Sequence, residues 1–318
     1  MQKRNISNKT IALRIQKIVF IIIPISILLF SFFPKQEEKL IEAMIDKGYP
    51  KPAHYIELLD EKKVKNGENL VKTGYALENP KKAPISLHFN CTHCHQLTVK
   101  SNIKLPASTL FGVVNRISWY NDDYQLKYGE GIKTARSSLR NAIQYCAQEC
   151  AQGRTLTSNE IEDILQYLWT LDLKTSDVKK QTLDLISTKK MTYDELKKEA
   201  LLYSKATFVS PQEAKKEVDK LQGNPQHGRN IYVYGCMSCH KQGGVTNFLL
   251  DESSISLRFL EKNLKKDTKY NLYTIVYEGT WAKPGYKPYM PRYTKENMSF
   301  QEMADLIAYI KSSNSKYH

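Results

Sequence analysis

Two pentapeptides in this 318-residue chain set thiols and an imidazole at fixed spacing, CTHCH at 91–95 and CMSCH at 236–240. Two cysteines at i and i+3 can each add a thiol to a vinyl group on one edge of a porphyrin. The histidine that follows them can then bind the iron from one face, which makes the pentapeptide the attachment signature of c-type haem. Cys91, Cys94 and His95 are therefore expected to hold one haem, and Cys236, Cys239 and His240 another, giving two covalently bound haem c. The competing chemistries are a split zinc site or paired disulfides. A zinc ribbon sets its CxxC pairs roughly 15–20 residues apart, whereas these pairs lie in separate halves of the chain.

The elements that must position these groups also come in two copies. Thr157–Leu168 reads TSNEIEDILQYL and Ser299–Ile310 reads SFQEMADLIAYI. Each opens with a capping box, Thr157 with Glu160 and Ser299 with Glu302. Each continues with apolar residues at i, i+3, i+4 and i+7, so one face of the helix is buried. From His95 to Glu160 is 65 residues and from His240 to Glu302 is 62, so one small all-α unit used twice is the economical reading. Short helices are expected upstream of both motifs, in NGENLVKTGYAL and PQHGRNIYVYG.

The composition is that of a folded protein, 41% hydrophobic and 25% charged, with a formal net charge of +14. That charge favours anionic partners, but no nucleic-acid-binding module accompanies it, and no nucleic-acid partner is expected. Five of the bases (Lys3, Arg4, Lys9, Arg14, Lys17) precede the uncharged run IVFIIIPISILLFSFF, Ile18–Phe33. Bases followed by an apolar run are the pattern of an export signal, and no small-x-small cleavage site follows. The reading is an uncleaved N-terminal membrane helix, with the rest of the chain on the periplasmic or extracytoplasmic side.

The expected fold is thus all-α, with two cytochrome c-like haem domains in tandem joined by a helical connector and preceded by a membrane helix. The expected segments are an anchor at 1–36, a juxtamembrane stretch at 37–61, a first haem domain at 62–175, a connector at 176–222 and a second haem domain at 223–318.

The GYKPYMPRYTKENMSFQEMADLIAYI stretch resembles the mono-haem class I cytochromes c, a resemblance that covers residues 223–316. It implies that Met290, in Tyr-Met-Pro, is the distal iron ligand of the second haem. Met303 falls on the apolar face of the closing helix and Met298 in the run-up to its cap. The second unit lacks the proline expected about a dozen residues after the motif. The first has Pro106, whose carbonyl is the expected acceptor for the His95 ring N–H.

The first unit contains no methionine between Met44 and Met191, so another side chain must face its iron. Met290 precedes Glu302 by twelve residues, and twelve before Glu160 is Gln148, bracketed by Cys146 and Cys150. A thiolate is an iron ligand that lowers the potential. Two buried small side chains or a strained disulfide are the alternatives for the pair, and His88 or a lysine for the ligand.

The stretch RNAIQYCAQECAQGRTLTSNEIEDILQYLWTL resembles the tetrathionate-forming thiosulfate dehydrogenases, which are periplasmic dihaem cytochromes. The likeness covers roughly residues 67–171 and includes the spacing NCTHCH…LPA…FG…Y…G. It implies that Cys146 is the distal ligand of a catalytic haem. The family's Arg-Ser after that cysteine is Glu149-Cys150 here. Two functions follow as expectations. One is an oxidoreductase that couples thiosulfate to tetrathionate, or runs the reverse, at Cys146. The other is a non-catalytic dihaem relay in a respiratory chain. Redox proteins, small sulfur oxyanions and the membrane are the expected partners. The motifs of dihaem peroxidases find no match.

Overall fold

A computed structural model describes residues 37–77, 81, 83–98, 103–116, 118–120, 122–192, 195, 206–264, 266, 268–281 and 288–315. The expected membrane segment at 1–36 lies outside these residues. Among the described residues no helix is long and apolar enough to cross a membrane. The described residues form helices joined by loops, and their one β feature is an isolated bridge between Lys39 and Lys174.

In chain order the helices are α1 (Leu40–Asp46), α2 (Glu61–Thr73), α3 (Asp122–Tyr128), α4 (Gly131–Arg136), α5 (Leu139–Tyr145), α6 (Ser158–Leu168), α7 (Lys180–Ser187), α8 (Pro211–Val218), α9 (Pro225–Ile231), α10 (Met237–His240), α11 (Ser254–Leu264), α12 (Leu272–Tyr277) and α13 (Phe300–Ser315). They enclose two main hydrophobic cores. The first centres on Leu70, Val71, Leu165 and Trp169. The second centres on Tyr232, Leu257, Tyr277 and Met303. A smaller cluster packs Leu40 and Met44 of α1 against Leu173, Ile186 and Met191. The 37–61 stretch also joins the first core through His54, whose carbonyl accepts from Trp169 Nε1 at 2.9 Å.

Each main core is built on one pair of crossing helices, α2 on α6 and α9 on α13. Both capping boxes read from the sequence form. Glu160 reaches back to the Thr157 N–H at 2.8 Å, and Glu302 to the Ser299 N–H at 2.8 Å. At each crossing a glycine lies under the aspartate of the repeat. A Cβ on Gly67 would stand 1.9 Å from the Asp163 carbonyl oxygen, and one on Gly228 would stand 1.9 Å from that of Asp305. The preceding side chain binds the same aspartate, Asn66 Nδ2 to Asp163 at 2.6 Å and His227 Nδ1 to Asp305 at 2.6 Å. Backbone contact and side-chain bond therefore fix one register for each pair.

The two cores meet along residues 104–107. Lys104 N–H donates to the Tyr234 carbonyl (3.2 Å), Thr294 N–H to that of Pro106 (3.3 Å) and Asn297 Nδ2 to that of Ala107 (2.7 Å). Lys104 also pairs with Glu302 of the second capping box at 2.5 Å.

Because the obstacle at Gly67 is backbone rather than a flexible side chain, Gly67→Ala must separate α2 from α6. Overpacking of this kind costs about 1–3 kcal/mol. Thermal unfolding followed by circular dichroism should show that loss for Gly67→Ala and a similar one for Gly228→Ala. A surface substitution such as Lys65→Ala should change little.

Candidate functional site

The first motif occupies a short 3₁₀ turn, Cys91–His93, capped by Asn90, whose side chain accepts from the His93 N–H at 3.1 Å. Cys91, Cys94, His95 and Cys146 all line one cavity of about 570 Å³, within the range of roughly 300–1,000 Å³ that holds a whole cofactor. None of the six cysteines is in a disulfide.

His95 Nδ1 lies 2.7 Å from the Ser108 carbonyl. A carbonyl only accepts, so Nδ1 carries the proton and the lone pair sits on Nε2, the atom left for a metal. The sequence-based expectation named Pro106 as this acceptor, and the structure corrects it. The Pro106 carbonyl is taken by Thr294 of the second core, and the chain runs on two residues before a carbonyl meets the imidazole.

On the same cavity Cys146 opens a single π turn, Cys146–Cys150, in which the Ala151 N–H donates to the Cys146 carbonyl at 2.8 Å. Such turns are frequent at functional sites. Cys146 is held well below the usual thiol range, chiefly by a hydrogen bond from Cys150 and further by one from Tyr120, against the opposing effect of burial. Cys150 is held correspondingly high by the same bond. Burial pushes Cys91 up to about 12. Tyr120 lines the cavity with a backbone φ of +60°, a conformation in which bulky residues are rare. Gln148, the residue at the counted repeat position, instead bonds Thr155 at 2.9 Å.

Three arginines absent from the sequence-based site line the same cavity: Arg116, Arg136 and Arg292. Arg116 donates from Nη2 to the Thr109 carbonyl at 2.7 Å, while its buried Nε has no hydrogen-bond partner. Burial lowers its pKa to about 10, so it stays charged at neutral pH and calls for an anion. The residues present fit a haem: two thiols, an imidazole with Nε2 available, a further sulfur on the same cavity, and a buried cation that would suit a propionate. Nothing in the sequence distinguishes these arginines among 47 lysines and arginines. They converge only through tertiary packing, and Arg292 comes from the second core.

The second motif straddles a second π turn, Tyr232–Cys236, and helix α10. His240 Nδ1 lies 2.8 Å from the Phe248 carbonyl. The same tautomer argument leaves its Nε2 available without the missing proline. Cys236 and Met290 pack against the second core, in which Met298 and Met303 are buried. Met290 is tied to Thr280 twice, by its N–H to Oγ1 at 2.8 Å and by its carbonyl from the Thr280 N–H at 2.9 Å.

Comparison with known families matches residues 225–314 to cytochrome c. The chain therefore contains a cytochrome c domain. No curated protein and no solved structure matches it. The match at 225–314 supports an electron-transfer haem protein and implies covalently bound haem c. Among the described residues no cluster of three or more His, Cys, Asp or Glu side chains is arranged to hold a bare metal ion.

Replacing both Cys236 and Cys239 by alanine should lower the denatured mass of the purified holoprotein by one haem beyond the side-chain change. An unaltered haem mass would contradict attachment at this motif.

Proposed function

We propose that the protein is an exported, membrane-anchored dihaem c-type cytochrome with two cytochrome c domains in tandem, at 62–175 and 223–318. Its first haem would be attached at Cys91 and Cys94 and ligated by His95 and Cys146. Its second would be attached at Cys236 and Cys239 and ligated by His240 and Met290. We further propose that it interconverts thiosulfate and tetrathionate at the first haem. The observation that carries this reading is the single cavity shared by Cys91, Cys94, His95 and Cys146.

The haems supply one-electron redox chemistry. Joining two thiosulfate anions by a new S–S bond releases two electrons, which matches the capacity of two such centres. The chain's own residues do the rest. Ser108 holds the His95 proton at Nδ1. Arg116, Arg136 and Arg292 bring positive charge to the cavity wall, which favours an anionic ligand there. These arginines offer the positive charge that Glu149 does not.

Tyr293 supports direct passage between the two sites. It is buried. Its O–H donates to the Lys104 carbonyl at 3.2 Å, and the Ala107 N–H donates to that of Cys94 at 3.0 Å. A thiolate at Cys146 would lower the potential of a haem held there and a thioether at Met290 would raise that of a second, an order that favours outward flow to a redox protein partner. Glu149 favours a second reading, a relay without sulfur chemistry.

Turnover separates the two. The enzyme reading expects ferricyanide reduction with thiosulfate, or viologen oxidation with tetrathionate, and activity in neither assay leaves the relay. Low-temperature EPR tests the ligand. Cys146→Ala should abolish the low-spin ferric signal of the first haem, and a spectrum identical to wild type would remove Cys146 from the ligand set.

A further inference from the structure

The segment Tyr289–Arg292 belongs to the second core by sequence and to both sites by contact. Met290 packs on the second core, while Tyr289, Pro291 and Arg292 line the first cavity. Tyr289 reaches furthest. Its hydroxyl donates to the carbonyl of Cys150 at 2.8 Å, and Cys150 is the last residue of the π turn that Cys146 opens. Carbonyls in the last turn of a helix have no partner within it, and a buried carbonyl left unpaired is costly. For Cys150 the partner comes from the other half of the chain.

Tyr289 is itself held from several sides. The Tyr128 hydroxyl lies 3.1 Å from its own, and the Phe89 ring meets its ring at 5.5 Å, edge to face. Lys127 Nζ lies 5.8 Å from its ring centroid while donating to the Glu278 carbonyl at 2.6 Å. A side chain fixed this firmly transmits its position to whatever it bonds.

We infer that Tyr289 is a positioning residue for the first site: by anchoring the Cys150 carbonyl it holds the π turn open and keeps the Cys146 sulfur facing His95. This rests on the reading of the first site as a haem ligated by His95 and Cys146. The first site is thereby incomplete without the second core, and the anchoring residue is the chain neighbour of Met290. Without the anchor the turn is free to close towards regular α-helix, which swings Cys146 off the line to His95.

The test uses the full-length holoprotein and EPR of the oxidised state. Tyr289→Phe keeps the ring and removes only the hydroxyl. It should shift the g values of the first haem's low-spin signal, or convert part of it to high spin, and leave the second haem's signal unchanged. Tyr273→Phe removes a hydroxyl of the second core that bonds Asp219 at 3.2 Å and should leave the first signal as in wild type. Should Tyr289→Phe fail to accumulate, Tyr128→Phe, which frees the Tyr289 hydroxyl on one side, should give a smaller change in the same direction. An unchanged first signal in Tyr289→Phe, or equal changes in Tyr289→Phe and Tyr273→Phe, would overturn the inference. Cys146→Ala in the same series keeps the two readings apart. If it alters the signal and Tyr289→Phe does not, only the positioning role fails. If Cys146→Ala changes nothing, the ligand assignment itself is wrong.

Discussion

At Gly67 and at Gly228 a helix backbone comes so near a carbonyl oxygen of the closing helix that no side chain fits between them. Each contact sets the register of one helix pair, α2 on α6 and α9 on α13. Each aspartate under the glycine then binds the residue beside it, Asn66 in one case and His227 in the other. Everything nearer the chemistry hangs on these two crossings. The π turns, the motif turns and the loops that meet the histidines are all strung between the crossing helices.

The histidines show how little the chain needs to specify once that frame exists. His95 and His240 each present Nδ1 to a backbone carbonyl, at 2.7 and 2.8 Å, but the acceptors lie at different distances along the chain, Ser108 in one case and Phe248 in the other. A carbonyl carries no residue identity, so the tautomer is preserved while the sequence around it varies. That explains why a missing proline in the second unit leaves His240 oriented as His95 is, and why the proline present in the first unit serves a different bond.

What could be read from the sequence was local. The capping boxes at Thr157 and Ser299 depend on residues three apart, and both form as read. The apolar faces of α6 and α13 depend on helical period, and Met303 is buried where that period puts it. Counting along the repeat brought attention to the turn at 146–150, although the residue counted to, Gln148, bonds elsewhere. What could not be read depends on partners far along the chain. Arg116 and Arg292 approach one cavity from different cores, Pro106 gives its carbonyl to Thr294, and the Cys150 carbonyl takes its hydrogen bond from Tyr289. No local pattern marks these residues. The cytochrome c family match likewise stops at residues 225–314, leaving the first core to be argued from its own geometry.

We propose that two haems with unlike axial ligands share this one chain, a thiolate from Cys146 with His95 and a thioether from Met290 with His240. A potentiometric titration of the purified holoprotein, followed in the visible spectrum, tests it most directly. The account predicts two one-electron steps of equal amplitude, well separated, with the lower belonging to the thiolate-ligated haem and the higher to the methionine-ligated one. A single step, or an amplitude corresponding to one haem per chain, would contradict it.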